Sequence, residues 1–514
     1  MLHKKLTLIA AIALIFVSCA SIPNAVESYE KYYANLPFEM PVLKAPVFPN
    51  YEKSILDFGG KGDGVTLNTE AFNRGMKEIS ERGGGTLRVP FGVWFTGPIV
   101  FQSNINLHLE VGALVLFSPD MDLYPLINTS FEGLDTKRCQ SPISGKNLEN
   151  IAITGKGSFN GSGHAWRPLK KEKVTDRHWN NVVKSGGVVD AAGRIWYPSQ
   201  GAYNAVLNTK LELNVPKNEM TDAEWADIKD HLRPVMLSFI SCKNVLIKDV
   251  LFENSPAWCV HPLMCENVII DNIMIRNPAY SQNGDGIDLE SCKNSLIVNC
   301  TLDVGDDAIC IKSGKDAEGR KRAMPTENLI VENCIVFNGH GGFVVGSEMS
   351  GGVRNVSVRN CEFLGTDVGL RFKSKRGRGG LVENIYVENI SMFDIATESL
   401  LFDLFYGGQS ATEALQSGND SPSASNLLPV TEETPEFRNI YIKNMVSRNA
   451  RRAMFFNGLP EKNITNINIE NSVVTAKIGA VLAESDGVHF KNVTIIPDSG
   501  EPIILRNVKN FVNE

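Results

Sequence analysis

Four short stretches carry the residue types that could do chemistry: Asn283-Gly284-Asp285-Gly286, Gly305-Asp306-Asp307, Gly339-His340-Gly341 and Arg371-Phe372-Lys373. With Ser291, Ser313, Ser347 and Ser374 as a register mark, counting back six residues puts Asp285, Asp307, Gly341 and Val368 in one column. The next column back holds Gly284, Asp306, His340 and Asp367. If these columns stack as successive coils about 4.8 Å apart, three carboxylates converge that cannot all ionise easily, so at least one pKa rises. A carboxylic acid beside ionised carboxylates suits hydrolysis of a glycosidic bond, one group protonating the leaving oxygen while another activates water. The column beside the serines holds Glu290, Lys312, Gly346 and Lys373, with Arg371 two residues before Lys373; these cations are placed to grip an anionic sugar. A lone Asp-Gly is ordinarily a turn, paired aspartates can cap loops or hold calcium, and a lone histidine is usually packed. Convergence of four motifs on neighbouring coils selects the functional reading.

A repeat positions these residues. From Asn244 onward the pattern Asn-β-x-β-x-Asn/Asp recurs, β being mostly Val, Ile or Leu: NVLIKD ends at Asp249, NVIIDN at Asn272, NSLIVN at Asn299, NLIVEN at Asn333, NVSVRN at Asn360, NIYVEN at Asn389, NIYIKN at Asn444 and NINIEN at Asn471. Each copy alternates apolar and polar residues too briefly for a helix, and the copies follow too closely for crossover helices between them. Short strands stacked coil upon coil satisfy both constraints, with the Asn columns at turns where left-handed backbone is tolerated and the amide both donates and accepts.

The expected fold class is therefore all-β, a single-stranded right-handed parallel β-helix (solenoid) with an N-terminal capping helix and a Trp-rich insertion. Asn68 or Thr69 can cap the helix, which runs to about Arg82 before Gly83-Gly84-Gly85 and presents Ala71, Phe72, Met76 and Ile79 as an apolar stripe. Ser162 to Arg233 interrupts the repeat with Trp166, Trp179, Trp196 and Trp225. It can wall off one end of a groove, or its aromatics can be the core of an added subdomain. Gly407 to Pro435, rich in Ser, Glu and Pro, reads as a long surface loop. Trp258 and His261, one coil before Asp285, are candidates to line the side away from the cations.

The 514 residues are 43% apolar and 21% charged, enough for a buried core and without the charge excess of a disordered chain. A net charge of −7 opposes nucleic-acid binding. Residues 1–19 read as an export signal: His3, Lys4 and Lys5, an apolar run from Leu6 to Val17, then Ser18-Cys19. The run is too short to span a bilayer comfortably. Phe16-Val17-Ser18-Cys19 resembles a bacterial lipobox, which makes Cys19 the lipid-bearing first residue of the mature chain; cleavage after Ala20 is the alternative. The expected organisation is signal 1–19, linker 20–50 and catalytic β-helix 51–514, in a periplasmic or outer-membrane-anchored lipoprotein. Six of the other nine cysteines fall at fixed places in the repeat, Cys242, Cys265, Cys292, Cys300, Cys334 and Cys361, and read as core thiols rather than metal ligands.

These motifs together resemble glycoside hydrolase family 28, the polygalacturonases and their relatives. The resemblance runs from about Ile55, opening with DFGGKGDGVTLNTEAF and GGGTLRVPFGVWFTGPI. Gly284 stands where many members have Thr, as in bacterial exo-acting and some rhamnogalacturonan-active members, and Phe372 replaces the usual Ile. The resemblance implies Asp306 as general acid, Asp285 and Asp307 as the pair that positions and deprotonates water, and His340 as support for the acid. Arg371 and Lys373 would bind a galacturonate carboxylate, with Lys312, Asn283, Trp258 and His261 as further substrate-binding candidates. It also implies inversion without metal or cofactor. The substrate so implied is a pectic polysaccharide or oligogalacturonide, attacked from its end by a monomer.

Two basic clusters follow the motif strands, Lys312, Lys315, Arg320, Lys321 and Arg322, then Lys373, Lys375, Arg376 and Arg378; they favour a uronate polymer over a neutral glycan. A rhamnogalacturonan- or xylogalacturonan-cleaving hydrolase and an endo-polygalacturonase are the alternatives within the family. A calcium-dependent pectate lyase on the same fold has no use for His340, and a noncatalytic lectin predicts binding without turnover.

Overall fold

Each copy of the Asn-bounded repeat forms a short strand whose inward residues stack on those of the next coil, as the alternation dictates. The computed structural model describes residues 28–207, 211–212, 215–216, 219–408 and 427–514. The export signal, Cys19 and much of the expected 407–435 loop lie outside the described residues. Among the described residues, 29 strands pair in parallel in one sheet, wound as a right-handed parallel β-helix. Inward columns are continuous: Val245, Val268, Ser295, Leu329, Val356, Ile385, Ile440 and Ile467 align on successive coils.

The Asn columns do what the sequence asks of them. Asn244, Asn267, Asn294, Asn328 and Asn355 all have φ between 57 and 59°, where a residue other than glycine is unusual and Asn is tolerated. Each amide Nδ2 donates to the Oδ1 of the coil before, at 3.0 Å for Asn267, 3.3 Å for Asn294, 3.0 Å for Asn328 and 3.1 Å for Asn355. All nine described cysteines are free and buried, as core fillers.

Helix α1, Thr69–Glu81, buries Ala71, Phe72, Gly75, Met76 and Ile79 against Ile55, Phe58 and Leu87 at the N-terminal end of the coil. Each large apolar side chain buried there contributes about 1.5–3 kcal/mol. The cap differs from expectation. Asn68 occupies the N-cap position without a capping hydrogen bond; its side chain instead accepts from the Lys61 amide at 2.7 Å and donates to the Thr66 and Phe95 carbonyls at 2.7 and 3.1 Å. It ties the preceding loop to the first coil.

Part of the expected 20–50 linker is integral to the fold. Tyr29, Tyr32 and Leu43 are buried on the outer face of the coil against Ala152, Leu246, Ile269, Leu296 and Ile330. The Tyr29 hydroxyl donates to Asp271 at 3.1 Å. Outward apolar positions on five successive coils need a cover, and this segment supplies it.

The Trp-rich insertion is a small subdomain: three of its tryptophans form its interior, and Trp166 joins it to the preceding 121–139 segment. Trp225 packs with Ala205, Met220, Ile228 and Leu232, Trp166 with Tyr124 and Cys139, and Trp179 and Trp196 with Leu169. Of the two expectations for the insertion, that of aromatics as a packed interior matches the clusters seen: large apolar rings inserted outside the main core are buried in clusters.

Candidate active site

Five parallel strands carry the motifs on one face of the coil: β1 Val260–Leu263, β2 Ile287–Glu290, β3 Asp307–Lys312, β4 Gly341–Val345 and β5 Leu370–Lys373. Ile287 pairs with Ile309, Asp307 with Gly341, and Phe343 with Leu370. These registers put Asp285 beside Asp307 and His340 beside Asp306, the columns counted from the serines. The His340 amide donates to the Asp306 carbonyl at 2.9 Å and the Asp367 amide to the Gly339 carbonyl at 2.8 Å.

Two glycines let the aspartate loops close together. A Cβ on Gly284 would lie 1.9 Å from the Ser281 Oγ, and one on Gly305 would lie 2.4 Å from the same atom. Ser281 is locked by donating to the Pro278 carbonyl at 2.6 Å. The Gly at position 284 therefore has a steric cause within this chain.

One oxygen from each of Asp285, Asp306 and Asp307 lies within 4.8 Å of the others, a gap one water bonded to two of them at about 2.8 Å each can bridge. Their environments differ. Asp307 is buried, with Oδ1 accepting from Arg371 at 3.1 Å and Oδ2 from Lys373 at 2.6 Å. Burial pushes its carboxyl up, but Lys373, Arg371 and Lys312 outweigh burial and hold it well below the usual carboxylate range. Asp285 is pushed well above that range by burial and then by the charges of Asp288 and Asp306. Its Oδ1 is buried without a hydrogen-bond partner among the described residues. Asp306 is the most exposed of the three. Its Oδ1 accepts from the Asp307 amide at 3.0 Å and lies 3.1 Å from His340 Nδ1. The hydrogen bond to Asp306 raises the His340 pKa against the opposing effect of desolvation.

The trio opens into a cavity of about 490 Å³, within the roughly 300–1,000 Å³ usual for small-ligand sites. Asn283, Trp258, Lys312 and Lys373 line it with the aspartates. Sequence reasoning placed two residues differently. His261 is 1% exposed and lies behind the wall, 3.0 Å from Glu290 and 5.1 Å from the Trp258 ring; it props Trp258 rather than facing a ligand. Lys312 reaches the cavity wall, yet its ammonium is bound to Glu348 at 3.0 Å and lies 3.6 Å from Asp288 and 4.6 Å from the Trp258 ring. Lys373 serves Asp307 before any substrate.

The basic clusters divide similarly. Arg322 pairs with Glu290 at 2.8 Å, Arg376 with Glu461 at 2.5 and 2.8 Å, and Arg378 with Asp316. They brace loops, whereas Lys375 is exposed at the cavity edge.

The sequence did not signal the residues that close the other edge. The hairpin Leu126–Phe131/Leu134–Cys139 places Glu132 in the cavity wall. Phe131 packs on Trp258 with ring centroids 4.6 Å apart, and the Gly133 carbonyl accepts from the Lys315 amide at 3.2 Å. A Cβ on Gly133, whose φ is +73°, would meet that amide at 2.6 Å. The insertion backs this hairpin: Leu126 packs into the Trp225 cluster. Arg233, at the end of the insertion, donates to the Gln282 carbonyl at 2.9 Å and to Asn283 at 2.8 Å. Tyr406, 4.9 Å from Lys373 Nζ, completes the cationic side. None of these lies in a repeated motif, so no column count reaches them.

A parallel β-helix with three aspartates lining one cavity and a histidine bound to one of them defines an acid–base glycosidase. Residues 170–420 match the family described as Glycosyl hydrolases family 28. The chain is 33% identical to a hyperthermoactive exopolygalacturonase of Thermotoga maritima, covering 90% of this chain and 95% of that one with a TM-score of 0.71. It is 29% identical to a probable polygalacturonase of Vitis vinifera, over 88% of this chain and 81% of that protein. It is 28% identical to the exo-poly-alpha-D-galacturonosidase of Dickeya chrysanthemi, over 70% of this chain and 58% of that protein. The chain belongs to glycosyl hydrolase family 28.

Proposed function

We propose that the protein hydrolyses α-1,4-galacturonosidic bonds of pectic polygalacturonate or its oligomers from the chain end, with inversion. The observation that carries this reading is the cavity itself, with carboxylates at its floor, cations on one side and the Glu132 hairpin across the other. A closed side admits an end and rejects a continuous chain. The relatives that act as exopolygalacturonases support the same reading.

Asp306, the carboxyl most open to the cavity, donates its proton to the leaving oxygen, with His340 holding its orientation. Asp307, fixed as an anion by Lys373 and Arg371, positions the water but is a weak base. Asp285, whose raised pKa makes it the stronger base when ionised, takes the water's proton. Arg371, Lys375 and Tyr406 receive the sugar beyond the cut.

Early products from polygalacturonate and from oligogalacturonides test this. Galacturonate alone, without unsaturated ends and with the inverted anomer first by NMR, is expected. A ladder of oligomers overturns the exo mode, and products only from rhamnogalacturonan overturn the substrate.

The segment ending at Cys19 supports export with a lipid anchor, and we propose a monomer. Among the described residues no helix is long and apolar enough to cross a membrane. Cys19→Ser is expected to release the protein from the membrane fraction; retention there overturns the anchor, and dimer mass by light scattering overturns the monomer.

A further inference from the structure

The first part of the insertion carries a charge opposite to that of the whole protein. Between Arg167 and Arg194 seven cations stand against three carboxylates, in a chain of net charge −7. Arg167 is buried, bound to the Asn254 side chain at 2.7 Å. The other six, Lys170, Lys171, Lys173, Arg177, Lys184 and Arg194, are exposed or half-buried. Among the described residues none of the six forms a side-chain ion pair, although the Ile195 amide and, to a lesser degree, the Arg194 charge hold the neighbouring Asp190 carboxyl below its usual range, whereas Arg322, Arg376 and Arg378 around the catalytic cavity are paired with Glu290, Glu461 and Asp316. Cations that brace a fold find carboxylates; these face solvent.

They are held on a rigid support. Lys170 pairs with Ile195 across antiparallel strands, and the Lys171 amide donates to the Arg194 carbonyl at 2.9 Å. Leu169, Trp179 and Trp196 pack beneath, together with Tyr280. Lys170, Lys171 and Arg194 line a cavity of about 430 Å³ together with one carboxylate, Glu172, and Ile195. Arg177 and His178 line a second of about 490 Å³, where the His178 ring lies 5.2 Å from that of Tyr280, three residues before Asn283. Neither cavity shares a lining residue with the catalytic one.

We propose that this face is a second, noncatalytic binding site for polyuronate chains. The inference rests on the galacturonan substrate of the preceding section. An acidic enzyme repels a polyanion at long range, and a local positive field beside the active site reverses this and raises the local concentration of chain ends. Repeated carboxylates along one strand can engage several of the six cations at once, which an isolated anion cannot.

The test is the triple charge reversal Lys171→Glu, Lys173→Glu, Arg194→Glu, assayed on long polygalacturonate and on trigalacturonate. Expected is a roughly tenfold rise in KM for the polymer, shrinking as salt is added, with trigalacturonate kcat/KM and circular dichroism unchanged. Equal losses on both lengths, or none on either, overturn the site. Retention of the parent on phosphatidylglycerol vesicles, lost in the variant while polymer KM stays constant, also overturns it and assigns the face to a membrane. Retention of an Asp306→Asn form on immobilised polygalacturonate, abolished by the triple reversal, reads this site without turnover. If the parent fails to hydrolyse galacturonides, the substrate reading falls, and this retention measurement still decides the binding face.

Discussion

Two corners of the same coil stack polar residues at the same spacing and do opposite things with it. At one corner Asn244, Asn267, Asn294, Asn328 and Asn355 form a ladder in which each neutral amide donates to the coil before and accepts from the coil after. At the other corner the stacked groups are carboxylates. They have only acceptors, so they cannot satisfy one another. The geometry that makes the amide column a stable spine makes the acid column a store of unfavourable charge. Lys373 and Arg371 relieve it at Asp307, and burial leaves it unrelieved at Asp285. Stacking is thus neutral toward function, and side-chain chemistry alone decides which corner reacts.

Asp306→Asn breaks the acid corner with the largest effect. The amide keeps the shape and the acceptor to the Asp307 amide but has no acidic proton to give. Turnover is expected to fall by about 10²–10⁴-fold with the melting temperature nearly constant; a variant retaining most of its kcat removes Asp306 from the acid role.

Lys373→Met attacks the relief instead of the acid. It leaves Asp307 buried with one cation in place of two, and breaking such a pair costs about 3–5 kcal/mol where compensation is fully lost. Denaturant melts are expected to show part of that loss together with lower kcat. An unchanged melt with only KM raised would mean that Lys373 serves the substrate and not Asp307.

Asn294→Asp brings the chemistry of one corner to the other. Position 294 keeps its left-handed backbone, which Asp tolerates, but loses the donor to Asn267 and presents an anion to an acceptor. About 1–3 kcal/mol of stability should be lost with kcat unchanged. A neutral melt would show that the amide ladder is ornamental.

Asp288→Asn sharpens the acid corner from beneath. Asp288 is fully buried, with neither oxygen hydrogen-bonded among the described residues and the Lys312 ammonium 3.6 Å away, and after burial its charge is the largest influence raising Asp285. As the proposed base, Asp285 works ionised, so activity should fall as pH drops through its raised pKa, and the acid limb should lie above the ordinary carboxyl value. Neutralising Asp288 is expected to move that limb downward. A limb that stays put removes Asp285 from the base role.

The columns were legible in the sequence because stacking repeats them: the serine register put Asp285 beside Asp307 and His340 beside Asp306, as the strands do. The helix stripe of Phe72, Met76 and Ile79 was legible for the same reason, a period. What escaped lacks one. Glu132 reaches the cavity from an antiparallel hairpin inserted between coils, and its approach depends on Phe131 meeting Trp258 and Gly133 meeting Lys315, contacts more than 100 residues apart. The tryptophans of the insertion announced an aromatic cluster but not which way it faces. His261 shares its strand with the cavity wall, yet its partner Glu290 on the next coil holds it behind Trp258.

The smallest effect expected is that of a chelator. Three carboxylate oxygens within 4.8 Å of one another would suit a hard cation if they were free. They are not equally free. Both oxygens of Asp307 are taken by Arg371 and Lys373, and a divalent ion there would sit against an ammonium 2.6 Å from its would-be ligand. The protein's own cations already supply the neutralisation that a metal would. EDTA should therefore leave kcat on oligogalacturonide within error of the untreated enzyme. Loss of turnover on chelation, restored by calcium, would mean that Lys373 yields Asp307 to an ion, and the acid corner would then be a metal site that its cations only guard.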